Sequence, residues 1–186
     1  MATVEAIKDK KKVNDLLNYL KGQSERNFLL CKFQLNTGLR IGDVVQVQVK
    51  DFYTNDRFKE YFTLTEEKTN KPKKIKLNDE LKKVLKKYIK DNRLSEEDYI
   101  FKSKKGGCLT TVQAYRILKE GAKAVGIENF GTHSLCKTWG YHTYKASSYN
   151  IALIMDTFSH SSQTITLRYI GINQEEKDNL YSLVQF

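Results

Sequence analysis

The sequence predicts an α+β fold that is mainly helical and carries one small three-stranded antiparallel sheet. Two observations favour this class. Apolar residues recur at helical spacing through most of the 186-residue chain. Between about residues 47 and 77, β-branched and aromatic residues instead alternate roughly with polar ones, as they do in strands. The chain is long enough for one domain with a hydrophobic core, and we expect residues 1–186 to form that single domain.

The predicted helices begin near the N-terminus. Val13, Leu16, Leu17 and Leu20 share one face of a first helix, which Gly22 ends. A second helix runs from Ser24 to about Asn36, and a glycine-punctuated turn over 37–43 leads into a short third helix. A fourth helix is predicted after Asn78, and a fifth from Thr110 or Thr111 to about Val125. Further helices are predicted at roughly 133–146, 151–157, 164–169 and 174–184.

The strands are predicted at 47–53, 58–64 and 73–77. The polar stretch between the last two contains Pro72, the only proline in the chain. Proline and short polar residues favour turns, so this stretch predicts a hairpin turn. The three strands are expected to form one antiparallel sheet.

Composition limits the classes of function. Lysine and arginine exceed aspartate and glutamate by 10, and the isoelectric point is near 9.4. Such a charge attracts polyanions, although a merely lysine-rich surface also accounts for it. No apolar run approaches the roughly 20 residues that span a bilayer, and we expect a cytoplasmic protein without a membrane partner. Cys31, Cys108 and Cys136 form no CxxC pair, which indicates free thiols, and with only three widely spaced histidines we expect no metal site. No cofactor is expected either.

Several polar residues lie off the apolar stripes. In the helix from His133, the stripe is formed by Leu135, Trp139, His142 and Ala146, so His142 is interpreted as structural. His133, Cys136, Lys137 and Gly140 lie on another face, where a glycine would admit a backbone or a phosphate. Farther along, Ser159-His160-Ser161-Ser162 closes a helix and Tyr169 follows nine residues after His160. Taken alone, Tyr169 is explained by core packing.

Together these residues resemble the tyrosine recombinase (phage integrase) family over nearly the whole chain. Thr37-Gly-Leu-Arg-Ile-Gly-Asp43 is similar to the family's first box, with its arginine at Arg40. Lys68 matches the hairpin lysine, His133 opens the His-x-x-Arg box, and Phe158-Ser-His-Ser-Ser162 resembles Leu-Gly-His-Ser-Ser, with His160 as its histidine. Tyr169 stands at the nucleophile's spacing. The residues of these motifs are most similar to those of integrases from Gram-positive phages and conjugative elements.

The resemblance implies an enzyme that cuts and rejoins DNA through a 3′-phosphotyrosine. Attack on a phosphodiester concentrates negative charge on its oxygens, which Arg40, His133 and His160 would stabilise. Tyr169 would be the nucleophile and Lys68 the general acid for the leaving 5′-hydroxyl. DNA contacts are assigned to Arg40, Lys68, Lys71, Lys137 and Arg168. The helix after Tyr169 would either dock on a neighbouring protomer, in a dimer or tetramer on DNA, or fold back on its own core.

The sequence departs from the family at Cys136, where the second catalytic arginine is expected. Lys137 is adjacent, but one residue along a helix turns a side chain by about 100°, so it is a poor substitute. We therefore predict DNA binding with weak or lost cleavage. The N-terminal core-binding domain usual in the family is also expected to be absent. The alternatives are a type IB topoisomerase and a non-catalytic DNA-binding or regulatory protein that retains the fold.

Overall fold

The structure, a computed structural model, describes residues 4–67, 70–172 and 178. Within these ranges most of the chain is helical, as the apolar spacing predicts. The predicted helix at 174–184 lies almost wholly outside the described residues. The helices are α1 (Lys10–Gln23), α2 (Glu25–Thr37), α3 (Ile41–Val45), α4 (Asp79–Asp91), α5 (Thr111–Ala124), α6 (Ser134–Ala146), α7 (Ile151–Thr157) and α8 (Gln163–Ile170).

The predicted three-stranded sheet is wrong in detail, because the described strands form two separate hairpins. β1 (Tyr53–Thr54) pairs with β2 (Arg57–Phe58), and β3 (Phe62–Thr65) pairs with β4 (Pro72–Ile75). The hairpin turn predicted at 65–72 is confirmed by the second pairing. The first hairpin turns on Asn55 and Asp56, both with positive φ, a conformation that asparagine and aspartate tolerate.

The strand predicted at 47–53 is interrupted by a 3₁₀ turn, Val49–Asp51, and before this turn Gln48 forms a single antiparallel bridge with Tyr99. The Asp51 carboxylate accepts the backbone N–H of Gln48 at 2.8 Å, and the N–H of Val49 binds the carbonyl of Asp98 at 2.9 Å. The first bond takes a donor that a further strand would have used, whereas the second belongs to the bridge between Gln48 and Tyr99. The alternation of buried valines with polar residues therefore accompanies one β-bridge and burial against the core, not a continuous strand.

The main core lies around α2, whose Leu29, Leu30 and Phe33 are fully buried. The Phe33 ring meets those of Phe62 and Phe101 edge to face, at centroid distances of 5.8 and 5.9 Å. These contacts join the second hairpin and the 100–101 segment to α2, and so hold the hairpin beside the turn that follows this helix.

A second, smaller core lies between α6, α7 and α8. Its buried residues are Cys136, Tyr141, Ile154, Phe158 and Ile170. Gly140 of α6 permits this packing, because a Cβ there would lie 2.7 Å from Phe158 and 2.8 Å from Ile170. The prediction that Gly140 admits a backbone or phosphate is therefore wrong: two side chains fill the space.

The segment before α1 crosses α6 and is tied to it by hydrogen bonds. The N–H of Ile7 donates to Thr138 Oγ1 at 2.8 Å, and its carbonyl accepts from His142 Nε2 at 3.0 Å. This bond agrees with the interpretation of His142 as a structural histidine. In the described part of the chain, no helix combines the length and the apolar character needed to cross a membrane.

Candidate active site

Arg40 is positioned by the turn that ends α2. Gly38 has φ +67°, the left-handed conformation favoured for glycine, and a Cβ there would overlap the Trp139 ring of α6. The buried Gln34 donates from Nε2 to the carbonyl of Leu39 at 3.1 Å. These contacts fix the backbone immediately before Arg40, which is the N-cap residue of α3.

A buried carboxylate links Arg40 to the second hairpin. Glu66, at the end of β3, accepts from Arg40 Nη1 at 3.0 Å and from Lys73 Nζ at 3.3 Å. The residue is 4% exposed, while the Arg40 side chain keeps 23% of its surface accessible. Guanidinium carries five N–H donors, so this ion pair leaves others for a ligand.

His133 and Cys136 lie at the start of α6, on the side that faces α8. His133 is the N-cap residue, and Cys136 follows one turn later, fully buried. From α8, the Tyr169 hydroxyl lies 3.5 Å from His133 Nδ1 and 3.5 Å from Cys136 Sγ, to which it donates. The phenol is half-buried, and the structure thus brings the two residues of the His-x-x-Arg box together with Tyr169.

His160 completes this group from the turn after α7. Its ring centroid lies 5.0 Å from that of Tyr169, and it stacks on Phe158 at 5.4 Å. Its Nδ1 is 3.1 Å from the hydroxyl of the buried Thr166. Burial lowers the pKa of His160, and the positive charge of Arg40 lowers it further.

The surroundings favour a neutral Tyr169. Burial raises the pKa of its phenol far above the usual range, and Cys136 adds to the rise both by its charge when ionised and by accepting the phenol's hydrogen bond. The charge of Arg40 opposes this rise, so Arg40 lies within electrostatic reach of the phenol. Burial also raises the pKa of Cys136, which indicates a thiol at neutral pH.

The remaining predicted residues have varied positions. Lys68 lies outside the described residues. Lys71 and Arg168 are exposed. Lys137 is half-buried: its Nζ donates to the carbonyl of Val4 at 2.7 Å and lies 5.2 Å from the centre of the Tyr169 ring. Burial lowers the pKa of Lys137. Lys137 and Cys136 thus both adjoin Tyr169, Lys137 at its ring and Cys136 at its hydroxyl.

Sequence reasoning missed three residues of this site. Glu66 and Thr166 were not singled out, and neither was Asp43, whose buried carboxylate accepts the N–H of Glu67 at 2.9 Å. Burial raises the pKa of Asp43. Only the placement of Asp43 inside the first box offered a signal. An isolated glutamate or threonine in a polar or mixed segment gives none.

A cavity of about 240 Å³ opens between the first box and the start of α6. It is lined by residues of both, including Arg40, Asp43, Thr132 and His133. The guanidinium of Arg40 and the imidazole of His133 are suited to an anion such as a phosphate group, although Asp43 and Glu67 also line this cavity. Among the described residues, no three histidine, cysteine, aspartate or glutamate side chains form a group that could hold a metal ion.

Comparison with known proteins gives a consistent result. The sequence matches the phage integrase family over residues 8–176. It is 38% identical over 184 residues to "Probable integrase/recombinase YoeC" of Bacillus subtilis (strain 168), covering 98% of both chains. It is 27% identical over 165 residues to a tyrosine recombinase of Pseudothermotoga lettingae, covering 88% of this chain and 56% of that one. The chain thus spans nearly all of the first relative and about half of the second.

Solved structures show the same fold. The XerA recombinase crystal structure superposes with a TM-score of 0.76 at 17% identity, covering 100% of this chain and 66% of that one. Residues 75–356 of lambda integrase, in a dimer bound to a COC′ core site, give 0.71 at 17% identity, covering 91% and 60%. At this identity the likeness concerns the fold alone. The match over 8–176 and the 38% identical relative show that the chain belongs to the phage integrase family.

Proposed function

We propose that this protein cuts and rejoins duplex DNA at specific sites through a phosphotyrosine at Tyr169. One observation carries the proposal: side chains from distant parts of the sequence converge on this phenol. His133 Nδ1 lies 3.5 Å from the hydroxyl, the His160 ring packs 5.0 Å from the phenol ring, and the charge of Arg40 acts on it. A half-buried tyrosine with only a packing role needs none of these partners.

In the proposed reaction, the Tyr169 oxygen attacks the scissile phosphorus and the bond from phosphorus to the 5′-oxygen breaks. The phenol loses its proton, and the leaving 5′-oxygen gains one. Arg40 binds the non-bridging oxygens, with His133 and His160 as further donors. Lys68 is our candidate for the acid that protonates the leaving oxygen. The phosphotyrosine retains the bond energy, so a second strand rejoins by the reverse reaction.

The proposed substrate is duplex DNA, with assembly of two or four copies upon it. The net charge of +10 favours a polyanionic partner. Among similar structures, a XerH recombinase is bound to its difH substrate, and lambda integrase forms a dimer on a core site and a tetramer on a Holliday junction. Arg40, Lys68, Lys71, Lys137 and Arg168 are the proposed DNA contacts.

We further propose that Cys136 impairs cleavage, for two reasons. A thiol supplies no positive donor to the phosphate, and loss of one such donor typically lowers the rate by about 10²–10³. The same sulfur also accepts a hydrogen bond from the Tyr169 hydroxyl and so stabilises the protonated phenol. An arginine there would instead favour the phenolate.

The second candidate function is that of a DNA-binding or regulatory protein without cleavage. The observation that favours it is the same Cys136, together with the raised pKa of Tyr169. Both candidates predict DNA binding that weakens as salt increases.

A nicked suicide duplex separates the two candidates. Cleavage next to the nick releases a short fragment and traps the covalent adduct, which survives denaturing electrophoresis. Because the target site is unidentified, the probe is a labelled pool of nicked duplexes with randomised sequence. An adduct with the natural protein that disappears in Tyr169→Phe supports the enzyme. An adduct that persists in Tyr169→Phe excludes this nucleophile. Binding without any adduct, even in Cys136→Arg, supports the non-catalytic protein.

A further inference from the structure

The His160 ring is held by a side chain to which the recombinase reaction assigns no role. Thr166, the fourth residue of α8, is fully buried, and its hydroxyl oxygen lies 3.1 Å from His160 Nδ1. The same oxygen lies 3.1 Å from the backbone carbonyl of Ser162, to which it donates. The hydroxyl therefore stands between an imidazole nitrogen and a carbonyl oxygen.

These two contacts determine where the imidazole carries its proton. A threonine hydroxyl has one hydrogen. If that hydrogen went to His160 Nδ1, the hydroxyl oxygen would face the Ser162 carbonyl at 3.1 Å as one acceptor against another. If it goes to the carbonyl, the hydroxyl accepts from Nδ1–H and both contacts are hydrogen bonds. Only the second arrangement satisfies both, and a buried site penalises the first.

We propose that Thr166 is a positioning residue that keeps neutral His160 protonated at Nδ1. Neutral imidazole carries one N–H, so its Nε2 is then an acceptor. His160 consequently donates from Nε2 to the DNA phosphate only as an imidazolium. This last step rests on the proposed recombinase function, whereas the position of the proton in the free protein does not.

The charged surroundings make this proton dependent on DNA. The positive charge of Arg40, from the turn before α3, acts on His160, and the ring of Tyr169 of α8 packs against it as a neutral phenol. His133 and Cys136 of α6 adjoin that phenol. Burial and Arg40 both lower the pKa of His160, which keeps the free ring neutral. A phosphate diester bound by Arg40 and brought near the ring adds a negative charge and favours the imidazolium.

The proton position is measured first, without DNA, by ¹⁵N NMR of the histidine rings above the pKa of His160. In the natural protein, the ¹⁵N resonance of His160 Nδ1 should lie upfield, as a protonated nitrogen does, and that of the unprotonated Nε2 should lie downfield. Thr166→Val removes the hydroxyl at nearly constant volume and should shift the population toward Nε2–H. Thr166→Ser should restore the original pattern, and Thr164→Val, an exposed position on the same helix, should leave it unchanged. An unprotonated His160 Nδ1 in the natural protein would overturn the proposal.

The consequence for the reaction is measured as a pH profile of adduct formation. All variants carry Cys136→Arg, so that cleavage is fast enough to follow. With the natural Thr166, or with Thr166→Ser, the rate should fall about tenfold per pH unit above the pKa of His160 in the complex. With Thr166→Val, neutral His160 can donate from Nε2, and the fall should shrink to about twofold or less. Equal slopes for Thr166 and Thr166→Val would overturn the imidazolium step.

Controls distinguish a failure of the proposed proton position from a failure of the proposed recombinase function. Circular dichroism melting checks folding. If Thr166→Val does not fold, the NMR pattern of the natural protein and of Thr166→Ser still decides the proton position. If no variant forms an adduct, the proposed function fails while the ¹⁵N result stands on its own.

Discussion

Replacing Cys136 with arginine is the perturbation that bears most directly on the proposed chemistry. Position 136 lies one turn into α6, and its sulfur is 3.5 Å from the Tyr169 hydroxyl. An arginine from this backbone position would bring a cation with five donors close to the attacking oxygen and to the proposed phosphate site. It would also remove the thiol that accepts the phenol's hydrogen bond.

The expected gain is about 10²–10³ in the rate of adduct formation, which corresponds to about 2.7–4 kcal/mol of transition-state stabilisation. The substitution also has a cost in stability, because Cys136 is fully buried in the smaller core with Phe158 and Ile170. Overpacking of this kind costs about 1–3 kcal/mol, or about 2–12 °C in Tm for a chain of this size. The folded protein carries this cost in both ground and transition states, so it lowers Tm and not the rate.

The assay is single-turnover adduct formation on the randomised nicked pool, quantified on denaturing gels, with Tm measured in parallel. Cys136→Met adds bulk without donors and should lower Tm with no gain in rate. The double variant Cys136→Arg/Tyr169→Phe should form no adduct. If Cys136→Arg folds, binds the pool and yields no more adduct than the natural protein, the missing-donor argument is refuted.

Three further predictions concern groups around the site. Gly38→Ala should lower the unfolding free energy by at least about 1–3 kcal/mol, because φ is positive and the new Cβ would overlap Trp139. The control Gly22→Ala, with open space around it in α1, should instead raise the unfolding free energy by up to about 1 kcal/mol. Urea unfolding measures both changes. Glu66→Gln should lower the rate of adduct formation about tenfold, because it removes the carboxylate charge that holds the Arg40 guanidinium in position. DNA affinity should change less than about threefold, and an unchanged rate would contradict the prediction. Burial lowers the pKa of His142, so the neutral ring contributes fully to stability above pH 6.5, and this contribution is lost as pH falls through the folded pKa. Between pH 7 and 5 the Tm of the natural protein should therefore fall further than that of His142→Gln.

The sequence predicted the helices well because their apolar periodicity is strong. The helix predicted at 151–157 agrees with α7, and Thr110 caps α5 as expected. The strands were harder to predict, since short segments with alternating burial need not pair. Val47 and Val49 are buried in that pattern, yet the pairing between them is a single bridge to Tyr99, and the Gln48 N–H is bound by the Asp51 side chain. Such tertiary bonds leave no periodic trace in a sequence.

The candidate site was predicted to the extent that it consists of motifs. Tyr169, His133 and Cys136 do converge, and their spacing in the boxes was the signal. The residues that hold the motif side chains were not predictable in this way. Glu66 binds Arg40 across 26 positions of sequence, and the role of Thr166 depends on which of two neighbours receives one hydrogen. Both are properties of the folded geometry.

The free protein holds its proposed nucleophile in an unreactive state, and this constrains how activation can occur. Burial and the Cys136 thiol keep the Tyr169 phenol protonated, and His160 is kept neutral by burial and by Arg40. A phosphate bound by Arg40 near His160 would favour the imidazolium beside the phenol ring, and two positive charges would then oppose the effect of burial. Because the same phosphate is the proposed electrophile, the phenol would become a better nucleophile only where its substrate is already bound. Under the proposed function, a tyrosine of raised pKa would therefore be reactive only when DNA is bound.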